Sequence, residues 1–550
     1  MSRKWWKEGV VYQVYPRSFK DTSGNGFGDL EGIIEKLDYI QSLGVDMIWL
    51  CPVYESPNDD NGYDISDYRQ ISHEYGGNKA FDRLLKAVHD RGLKLIMDLV
   101  ANHTSDQHHW FTQARKGKDN PYRDYYIWKE GLADGPPNNW QSVFNGSAWE
   151  WNAPTQDYFL HLYTQTQPDL NWENPKVRKE IYAIIDYWLA KGVDGFRMDV
   201  ISLISKRLSF EDVPSEMSFL DVMEQRYANG PRVHEFLKEM NREVLSKYDI
   251  MTIGEGPGVN LEHGPRYVSE AEKELNMVFH FDHLTIDFGP EGKYDPIPFD
   301  FIRFKSIFRL WDKALAMDGW NSIFLGNHDF SRIVSRFGND NKYHNKSAKL
   351  LATLLMSLRG TPYIYQGDEI GMTNVAHPSI EDYDDVETRN AWNAATTQGK
   401  DMALFLKAVH KQSRDNARTP MQWDETPHAG FSSREPWLAL NTNHSDINVA
   451  AQEKNPDSIL MYYRKLIAFR KKTPTLVYGT FKDMFPEHPK LYVYERRDPN
   501  HTFLIVHNFS DDPTATPSLN LKASRLVMSN YEEGKDEMLQ PWESRIYHLH

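Results

Sequence analysis

Cysteine is almost absent from this chain, since Cys51 is the single one among 550 residues. No intramolecular disulfide can form, and because Cys51 stands in the apolar run DMIWLCP we interpret it as core filling rather than as a nucleophile. Long hydrophobic runs are missing too: no stretch of 18 apolar residues occurs, which disfavours a membrane protein. The N-terminal segment, MSRKWWKEGVVYQVYP, is too polar for a signal peptide, so we expect a cytoplasmic protein.

Positive charge is also scarce. The chain has 63 Lys and Arg residues against 78 Asp and Glu residues, a formal net charge of −15. This balance disfavours nucleic acids and anionic membranes as partners and suits a soluble protein, a monomer or a dimer, with a neutral substrate. Internal repeats, low-complexity tracts and a Gly-rich phosphate fingerprint are absent as well. Aromatic residues, in contrast, make up 13% of the chain, which fits either a large core or rings that stack on sugars.

What the sequence does contain is a recurring helix–glycine–strand pattern. Residues 31–43, 79–91 and 176–191 have helical periodicity, and each stretch ends at a glycine that is followed at once by an apolar strand. Further strands are predicted at 10–19, 250–256, 277–281, 322–329 and 361–369, which makes eight. Apolar strands that alternate with helices predict a parallel sheet covered on both faces. We therefore expect an α/β fold, a (β/α)₈ TIM barrel, with an open doubly wound sheet as the alternative.

Two stretches interrupt this pattern, and the C-terminal tail departs from it. Residues 104–172 are rich in Trp, Asn, Gly and Pro, which predicts a subdomain inserted after the third strand. Residues 371–457 are polar and are predicted to form an irregular insertion after the eighth strand. The barrel itself is assigned to residues 1–103 and 173–478. From residue 479 to 550, short alternating runs such as LYVYERR predict a C-terminal antiparallel β-sandwich domain.

Polar residues collect at the ends of the predicted strands. These are the positions that build the active site of a barrel, and they hold Asn102, His103, Arg197, Asp199, Glu255, His328 and Asp329. Buried strands rarely end in unpaired charges, because the burial of each ion costs several kcal/mol. Side chains at i and i+2 share one face of a strand, so Arg197 and Asp199 are both expected to point toward the barrel axis.

This arrangement predicts a pair of carboxyl groups with different protonation states. We expect the Arg197 guanidinium to keep Asp199 ionised, as a nucleophile must be, and an apolar setting to let Glu255 hold its proton as an acid. Such a pair is typical of glycosidases, and a separation of about 5–5.5 Å predicts retention of anomeric configuration. Asp329 would be a third carboxylate that binds sugar hydroxyls.

At these residues the sequence resembles the α-amylase family of glycoside hydrolases, more closely its oligo-1,6-glucosidase and α-glucosidase branch. The motifs DLVANH, GFRMDV, GEGPG and NHD occur in the family's order, and QPDLNW is typical of the branch. The resemblance runs over nearly the whole chain. It implies Asp199 as nucleophile, Glu255 as general acid/base and Asp329 as transition-state stabiliser. It also implies a first sugar subsite made of Asp60, Tyr63, His103, Tyr163, Gln167, Arg197, His328 and Arg418.

Within that subsite the resemblance gives some residues particular roles. Tyr63 would stack on the sugar ring, while Asp60 and Arg418 would bind the far hydroxyl of the non-reducing glucose and so enforce exo attack. Arg414 competes with Arg418 for this role. Linkage preference is thought to follow the residue after the nucleophile, and Val200 is the type associated with α-1,6 bonds, whereas Thr goes with α-1,4 bonds.

The loop DTSGNGFGD, residues 21–29, is a candidate metal site. Oxygen ligands at alternate positions around Gly turns resemble a calcium loop, although the final Glu of an EF-hand is absent. The branch binds a structural Ca²⁺ or Mg²⁺ here, which implies the side chains of Asp21, Ser23, Asn25 and Asp29 and the carbonyl of Phe27 as ligands. The alternative is a Gly-rich turn with a capping Asp. No cofactor is expected for catalysis.

Three functions remain open at this point. The first is a retaining exo-acting α-glucosidase for short α-1,6-linked oligosaccharides of the isomaltose type, with an α-1,4-acting enzyme as its variant. The second is a sucrose isomerase or transglucosylase on the same barrel. Sucrose isomerases, however, carry Thr after the nucleophile and an Arg-rich loop where this chain reads DFGPEGKYDP. The third, a non-catalytic barrel, would lose the carboxylates that are present here.

Overall fold

The fold is described from a computed structural model, which covers residues 3–133, 135–517, 519, 521, 523–532 and 537–549. Its centre is a barrel of eight parallel strands, and all eight predicted strands are found. They are shorter than predicted: β1 Val11–Val14, β2 Met47–Leu50, β3 Lys94–Val100, β4 Gly195–Asp199, β5 Met251–Gly256, β6 Met277–His280, β7 Ser322–Ile323 and β8 Thr361–Tyr365.

The strands form a single sheet in the order β6-β5-β4-β3-β2-β1-β8-β7. Every neighbouring pair is parallel, which confirms the TIM barrel and excludes the doubly wound sheet. The two end strands, β6 and β7, meet without a hydrogen-bond ladder among the described residues. The seam between them is joined by Ser322 Oγ, which donates to the Val278 carbonyl at 2.8 Å.

Helices surround the barrel. Those that follow β1 to β8 in turn are Leu30–Glu35 with Leu37–Ser42, Gly77–Asp90, Pro175–Ala190, Val233–Glu243, Gly264–Val268, Phe301–Ala314, His344–Ser357 and Ile459–Lys471. Glycines follow three of them in the left-handed conformation, as predicted: φ is +87° at Gly44, +72° at Gly92 and +105° at Gly192. None of the helices in the described part of the chain has the length and hydrophobicity that a bilayer crossing requires.

The side chains of the strands alternate between two cores. On β4, Phe196 and Met198 face outward into the large cluster under the helices, whereas Arg197 and Asp199 face the axis. The interior of the barrel is filled by a separate cluster that includes Trp49, whose ring stacks on Phe279 at 5.6 Å. This apolar plug closes the lower part of the barrel, so a cavity can open only at the carboxyl ends of the strands.

The connections carry further elements. Between β3 and β4 lies a three-stranded antiparallel sheet of Trp128–Lys129, Trp149–Asn152 and Asp157–Leu160, with a helix at His109–Ala114. Two hairpins, Tyr54–Glu55 with Asp67–Ile71 and Phe288–Gly289 with Gly292–Pro296, stand on the rim. Shorter helices are Trp5–Glu8, Phe219–Val222, Ile333–Phe337 and Pro474–Tyr478, and a π-helix spans Met223–Tyr227.

The stretch 371–457 is more regular than the sequence predicted. It contains the helices Val386–Thr397, Met402–Gln412, Asp415–Arg418 and Val449–Glu453. Asp385 and Asp401 begin the first two of these, because each side chain accepts hydrogen bonds from two backbone N–H groups of the first turn. The high content of polar residues concealed the two longer helices, since their buried faces are narrow. The first buries Thr388, Ala391 and Ala395, and the second buries Phe405, Ala408, Val409 and Gln412.

The C-terminal region is a five-stranded antiparallel sheet, as expected for an antiparallel β-domain. Its strands are ordered Thr480–Asp483, Leu491–Arg497, Thr502–Asn508, Ser544–Leu549 and Ser524–Ser529. A two-stranded ribbon, Thr514–Ala515 with Met538–Leu539, covers one face. The other face packs on the barrel, where Tyr494 Oη lies 2.6 Å from Ser357 Oγ of the helix His344–Ser357. Leu491 and Val493 pack toward the ribbon, and Tyr492 and Tyr494 pack toward the barrel, so this strand is buried at successive positions rather than alternately.

Candidate active site

The carboxyl ends of the barrel strands open into one cavity of about 940 Å³. The predicted site residues that line its wall are Asp60, Tyr63, His103, Tyr163, Asp199, Val200, Glu255 and Asp329. The others, Gln167, Arg197, His328 and Arg418, are buried directly behind that wall. The structure therefore brings the predicted catalytic and sugar-binding side chains together at one place in the fold.

Arg197 is the centre of the deepest part of the site. Its Nη1 lies 2.7 Å from Asp199 Oδ1 and 2.7 Å from Asp98 Oδ1, and its Nη2 lies 2.6 Å from Glu255 Oε1. The three carboxyl groups come from neighbouring strands, β3, β4 and β5, and the guanidinium is 1% exposed. One cation therefore serves three acidic groups in a nearly dry environment.

Asp98 is the member of this cluster that sequence reasoning missed. Besides Arg197, its carboxylate accepts hydrogen bonds from Trp49 Nε1 at 3.0 Å and Tyr63 Oη at 3.2 Å. It fixes the guanidinium from the side opposite the cavity. The signal in the sequence was an acidic residue inside the apolar run LKLIMDLV, which is costly unless it is paired.

The shared cation changes the expected protonation. Burial raises the pKa of Asp199, of Glu255 and of Asp98, and Arg197 opposes this rise at each of them. Arg197 favours the ionised form of Asp199, as predicted, but a single guanidinium is divided among three carboxyls, and burial opposes the ionisation of each. That Asp199 is the ionised member of the pair stays a prediction. Since three acids surround one cation, the cluster holds at least one proton more readily than free carboxyls would.

Asp329 has the opposite surroundings. Its Oδ1 lies 2.8 Å from Arg418 Nη2 and 3.4 Å from Arg414 Nη1, and its Oδ2 lies 3.1 Å from His328 Nε2. Burial by itself raises the pKa of Asp329, but His328 and the two guanidiniums more than compensate and hold it well below its usual value. This carboxylate is therefore a fixed negative charge at the side of the cavity facing Glu255, whose pKa it raises.

Tyr63 and His328 form the aromatic floor. Their rings are stacked with centroids 5.3 Å apart and an interplanar angle of 8°, and Tyr63 Oη lies 2.7 Å from His328 Nε2. Burial lowers the pKa of His328 to about 3, so the ring is neutral. Tyr63 faces the cavity, as the predicted stacking on a sugar requires.

The far end of the cavity is closed by a polar cluster around Asp60. Arg414 Nη2 lies 3.1 Å from Asp60 Oδ1, and Gln167 Nε2 donates to Asp60 Oδ2 at 3.2 Å. Gln167 also contacts His103 Nε2 at 3.2 Å. Burial raises the pKa of Asp60 to about 7 against the effect of Arg414. Tyr163 completes this end, with its ring 5.3 Å from that of His103.

Between the two competing arginines, the structure places Arg414 beside Asp60. Arg418 instead donates from Nε to the His328 carbonyl at 3.0 Å and lies fully buried behind Asp329. The two residues are four apart and share one face of the turn that ends with the helix Asp415–Arg418. Their spacing alone could not tell which one reaches the cavity, because both point the same way.

A second buried network supports the end of β3. Lys206 Nζ lies 2.7 Å from Asp169 Oδ2 and donates to Asn102 Oδ1 at 2.6 Å. Asn102 Nδ2 lies 3.2 Å from His103 Nδ1. The network joins the loop after β4 to the inserted sheet and to the His103 ring. Asn102 was singled out from the sequence, whereas Lys206 and Asp169 were not.

Val200 has an unusual backbone. Its φ is +37°, in the left-handed region that β-branched residues rarely adopt, and its N–H donates to Glu255 Oε2 at 3.0 Å. The side chain lines the cavity. This residue therefore contacts the acid with its backbone and the substrate space with its side chain.

The outer part of the cavity is built by loops. Aromatic side chains from five different segments line it: Phe144, Phe219, Phe281, Phe330 and Phe405. Lys293 of the rim hairpin pairs with Glu387 at 2.8 Å and donates to the Asp329 carbonyl at 3.2 Å. This mixed apolar and polar opening is wide enough for further sugar units beyond a first glucose-sized space.

The predicted metal loop lies outside this cavity. Asp21 is 2% exposed; its Oδ1 accepts from Gly24 N at 2.8 Å and its Oδ2 from Gly26 N at 2.9 Å. Asp29 caps the helix Leu30–Glu35 and accepts from Gly32 N at 2.7 Å, as the capping alternative predicted. Within the described residues no three His, Cys, Asp or Glu side chains form a metal cluster. A cation here would depend on Ser23, Asn25 and the Phe27 carbonyl as further oxygen ligands.

The geometry supports acid–base and nucleophilic chemistry at a single position in the cavity, which is large enough for one sugar ring. Two carboxyls of raised pKa share Arg197 at the cavity wall, and a third, ionised carboxylate stands beside them. Such an arrangement can protonate a leaving oxygen and stabilise positive charge on a ring.

Comparisons with known proteins agree with this geometry. The family model for the alpha amylase catalytic domain matches residues 13–479. The oligo-1,6-glucosidase of Parageobacillus thermoglucosidasius is 52% identical, with 100% of both chains covered. A mutant isomaltulose synthase of Erwinia rhapontici NX5, solved with D-glucose, is 44% identical, with a TM-score of 0.97 and 100% of both chains covered. The trehalose-6-phosphate hydrolase of Bacillus licheniformis is 46% identical, with a TM-score of 0.92 over 100% of both chains. The chain therefore belongs to the α-amylase family, glycoside hydrolase family 13.

Proposed function

We propose that this glycoside hydrolase is a retaining, exo-acting α-glucosidase that removes the terminal α-1,6-linked glucose from the non-reducing end of short oligosaccharides such as isomaltose. The observation that carries the proposal is the pairing of Asp199 and Glu255 on one guanidinium, Arg197, at the wall of the cavity. Neighbouring strands hold the two carboxyls close together at the barrel mouth, and a double displacement requires such a close pair, one on each side of the scissile bond.

In the first step, a carboxylate oxygen of Asp199 attacks the anomeric carbon while Glu255 donates its proton to the glycosidic oxygen. The bond to the leaving sugar breaks, and a glucosyl ester of Asp199 forms. In the second step, the Glu255 carboxylate takes a proton from water, whose oxygen attacks the anomeric carbon and releases Asp199. Each step inverts the anomeric carbon, so the α-configuration is retained overall.

The protonation states follow from the surroundings. Glu255 starts as the acid, because burial and the negative charge of Asp329 both raise its pKa. Asp199 starts as the carboxylate, with its Oδ1 against Arg197. Negative charge on Asp199 and Asp329 also favours the oxocarbenium-like transition state, in which the ring becomes positive.

Exo attack is supported by the closed end of the cavity. Asp60, Arg414, Gln167 and His103 are buried there and hydrogen-bond to one another. They present donors and acceptors to hydroxyls of a terminal glucose and leave no opening for a chain that continues. A terminal residue therefore fits this end, whereas the middle of a polymer does not.

The α-1,6 preference is supported by Val200 at the cavity wall and by the names of the curated relatives. The four most similar of the relatives compared are oligo-1,6-glucosidases, at 49–52% identity. An apolar valine after the nucleophile offers no hydrogen bond to the departing sugar, whereas a threonine would.

The experiment is a time course of isomaltose cleavage followed by proton NMR. Glucose should appear first as the α-anomer and only later mutarotate to the β-anomer. A panel of maltose, sucrose, trehalose, panose and dextran, with products identified, ranks the linkages. Initial β-glucose would contradict retention, and faster cleavage of maltose than of isomaltose would contradict the linkage assignment.

A second candidate, isomerisation of sucrose, is favoured by the structural likeness to isomaltulose synthase. It is the weaker one, because this chain has Val200 and the segment DFGPEGKYDP at the positions where the family resemblance gives sucrose isomerases a Thr and an Arg-rich loop. Sucrose as substrate separates the two: an isomerase yields isomaltulose or trehalulose, and a hydrolase yields equal amounts of glucose and fructose.

A structural Ca²⁺ in the loop 21–29 stays a prediction, as do the cytoplasmic location and the monomeric or dimeric state. The buried Asp21 carboxylate and the curled backbone around Gly24 and Gly26 support the metal. Only two carboxylates are available, so we expect weak binding.

A further inference from the structure

Behind the aromatic floor lies a buried amide that neither the sequence motifs nor the proposed mechanism uses. Gln13 is the third residue of β1, stands in the otherwise apolar run VVYQVYP and is 1% exposed. Its Nε2 lies 2.8 Å from His328 Nδ1 and 3.3 Å from Cys51 Sγ. The amide thus contacts the side of the imidazole that faces away from the cavity.

The proton on His328 can be located from its neighbours. The ring is neutral, so only one of its nitrogens carries a hydrogen. Nε2 faces the ionised carboxylate of Asp329 at 3.1 Å, and a lone pair pointing at that oxygen would be repelled. The hydrogen is therefore on Nε2, and Nδ1 must accept a hydrogen bond.

Gln13 is the group that can give Nδ1 this hydrogen bond. An amide N–H₂ donates and never accepts, so its position at 2.8 Å matches the Nε2–H form of His328 and is incompatible with the Nδ1–H form. The two observations are independent, because one comes from the Asp329 side of the ring and the other from the β1 side. Both select the same form of the histidine.

A directional chain of hydrogen bonds follows. Gln13 donates to His328 Nδ1, and the Nε2–H of His328 lies between Asp329 Oδ2 at 3.1 Å and Tyr63 Oη at 2.7 Å. The Tyr63 hydroxyl donates to Asp98. Asp98 in turn holds Arg197, which holds both Asp199 and Glu255. One amide on β1 is therefore connected to the reacting carboxyls through four hydrogen-bonded groups.

We propose that Gln13 is a positioning residue that keeps His328 in its Nε2–H tautomer, so that this N–H always faces Asp329 and the glucose hydroxyls. The inference rests on the proposed sugar-binding role of His328, but not on which glucosidic linkage is cleaved. Cys51 supports the amide from its other side, which gives the lone cysteine a place in the same arrangement.

The test uses Gln13→Glu and Gln13→Leu in the full-length enzyme, with p-nitrophenyl α-glucoside as substrate. In Gln13→Glu, the new carboxylate accepts a hydrogen bond from Nδ1–H of the protonated ring and so raises the pKa of His328. Below that pKa the ring is doubly protonated and keeps its Nε2–H, so activity survives. Above it, the remaining proton stays on Nδ1 beside the carboxylate, Nε2 loses its hydrogen and activity falls.

The readout is the shape of the pH profile of kcat/KM. We expect a new alkaline limb in Gln13→Glu, and a loss of roughly tenfold that is the same at every pH in Gln13→Leu. Other charged or titratable groups face His328 as well, and all are unchanged in both variants: Asp329, Arg197, Arg414, Arg418, Tyr15 and Tyr63.

Gln366→Glu is the matched control. Gln366 is also fully buried, next to the end of β8, but its Oε1 accepts from Tyr15 N and it has no contact with His328. It should lower kcat/KM without adding an alkaline limb. An unchanged profile shape in Gln13→Glu, or the same new limb in the control, would overturn the assignment.

If Gln13→Glu fails to fold, Gln13→Leu and Gln366→Leu provide the comparison. Tautomer control predicts weaker binding of 1-deoxynojirimycin, a glucose-shaped inhibitor, only for Gln13→Leu; equal weakening in both would reject it. Failure of the proposed function looks different, since the wild-type enzyme would then not release glucose from isomaltose, whatever the pH profiles of the variants.

Discussion

The two sides of the cavity treat the same chemical group in opposite ways. On one side, Asp98, Asp199 and Glu255 share a single arginine, and their pKa values lie above the usual range. On the other side, Asp329 alone is held between Arg414, Arg418 and His328, and its pKa lies below it. Asp329 is the most exposed of the four, with 24% of its side chain accessible, and it also has the most cations around it. The number of cations for each carboxyl and the depth of burial therefore act in the same direction in deciding which acid keeps a proton.

The largest effect is expected from removal of Asp199, the proposed nucleophile on the acid-rich side. Asp199→Ala should lower kcat by about 10⁴-fold or more while the enzyme stays folded, because the covalent step is lost. The matched control is Asp194→Asn, just before the other end of the same strand, where the carboxylate pairs with Lys94 and His89. Its kcat on isomaltose should change little. A comparable loss in both variants would mean that strand integrity, and not chemistry, was measured.

The second prediction couples the two sides. Asp329→Asn should lower kcat by about 10²–10³-fold, because one charge that stabilises the transition state is gone. It should also move the alkaline limb of the pH profile to lower pH. Asp329 raises the pKa of Glu255, so without it Glu255 loses its proton, and with it the acid function, earlier as pH rises. An alkaline limb that stays in place would show that the two sides titrate independently.

A smaller effect is expected at Val200, on the border of the acid-rich side. Val200→Thr should shift the ratio of kcat/KM for isomaltose to that for maltose toward maltose by about tenfold, since one added hydroxyl is worth about 1–3 kcal/mol in such a pocket. Val200→Ala is the control, because it shortens the side chain without adding a hydrogen-bonding group. An unchanged ratio in Val200→Thr would discard the linkage rule for this enzyme.

The contrast also predicts opposite effects on stability near pH 7. The pKa of Glu255 is raised in the folded protein, so the free energy of unfolding falls as pH rises from the pKa of the unfolded state through that of the folded state. Glu255→Gln should therefore raise Tm. The pKa of Asp329 is lowered in the folded protein, so its carboxylate stabilises the fold at pH values above the pKa of the unfolded state. This stabilisation is lost as pH falls through the pKa of the folded state, and Asp329→Asn should therefore lower Tm at pH 7. Each change should be about 1 kcal/mol, or a few degrees in calorimetry at pH 7. Changes in Tm of the same sign in the two variants would contradict the contrast between the two sides of the cavity.

The smallest effect concerns the loop 21–29, away from both sides. If Ca²⁺ is bound there, a chelator should lower Tm by a few degrees and added Ca²⁺ should restore it, with kcat at room temperature unchanged. Asp21→Asn should abolish the response to the chelator, whereas Asp38→Asn, on an exposed helix nearby in sequence, should keep it. A Tm that ignores chelator in the unaltered protein would favour the simple capped turn.

The barrel could be predicted from the sequence because its signals are local. Apolar strands after Gly44, Gly92 and Gly192 indicated the alternation of strands and helices. The i,i+2 spacing placed Arg197 and Asp199 on one face of their strand. The pairing of Arg414 with Asp60 could not be predicted, since it depends on how a distant loop folds over the mouth. The helices in 371–457 were hidden by their narrow apolar faces.

The protonation of the site could not be predicted for a related reason. It depends on counting the carboxyls around Arg197, and Asp98 looks in the sequence like one acid within an apolar strand. Gln13 is hidden in the same way, because only the structure places its amide against His328. Both residues act through side chains that are close in space but distant in sequence, so no local sequence pattern identifies them.

The left-handed backbone of Val200 has a consequence for how such enzymes can diversify. One peptide unit holds the proton donor by its N–H, while the side chain attached to it borders the departing sugar. A substitution of the side chain at this position also changes the strain in the left-handed backbone, and therefore the hydrogen bond from its N–H to Glu255. Linkage preference and pH optimum are thus coupled through this residue, and a substitution that changes one is expected to change the other.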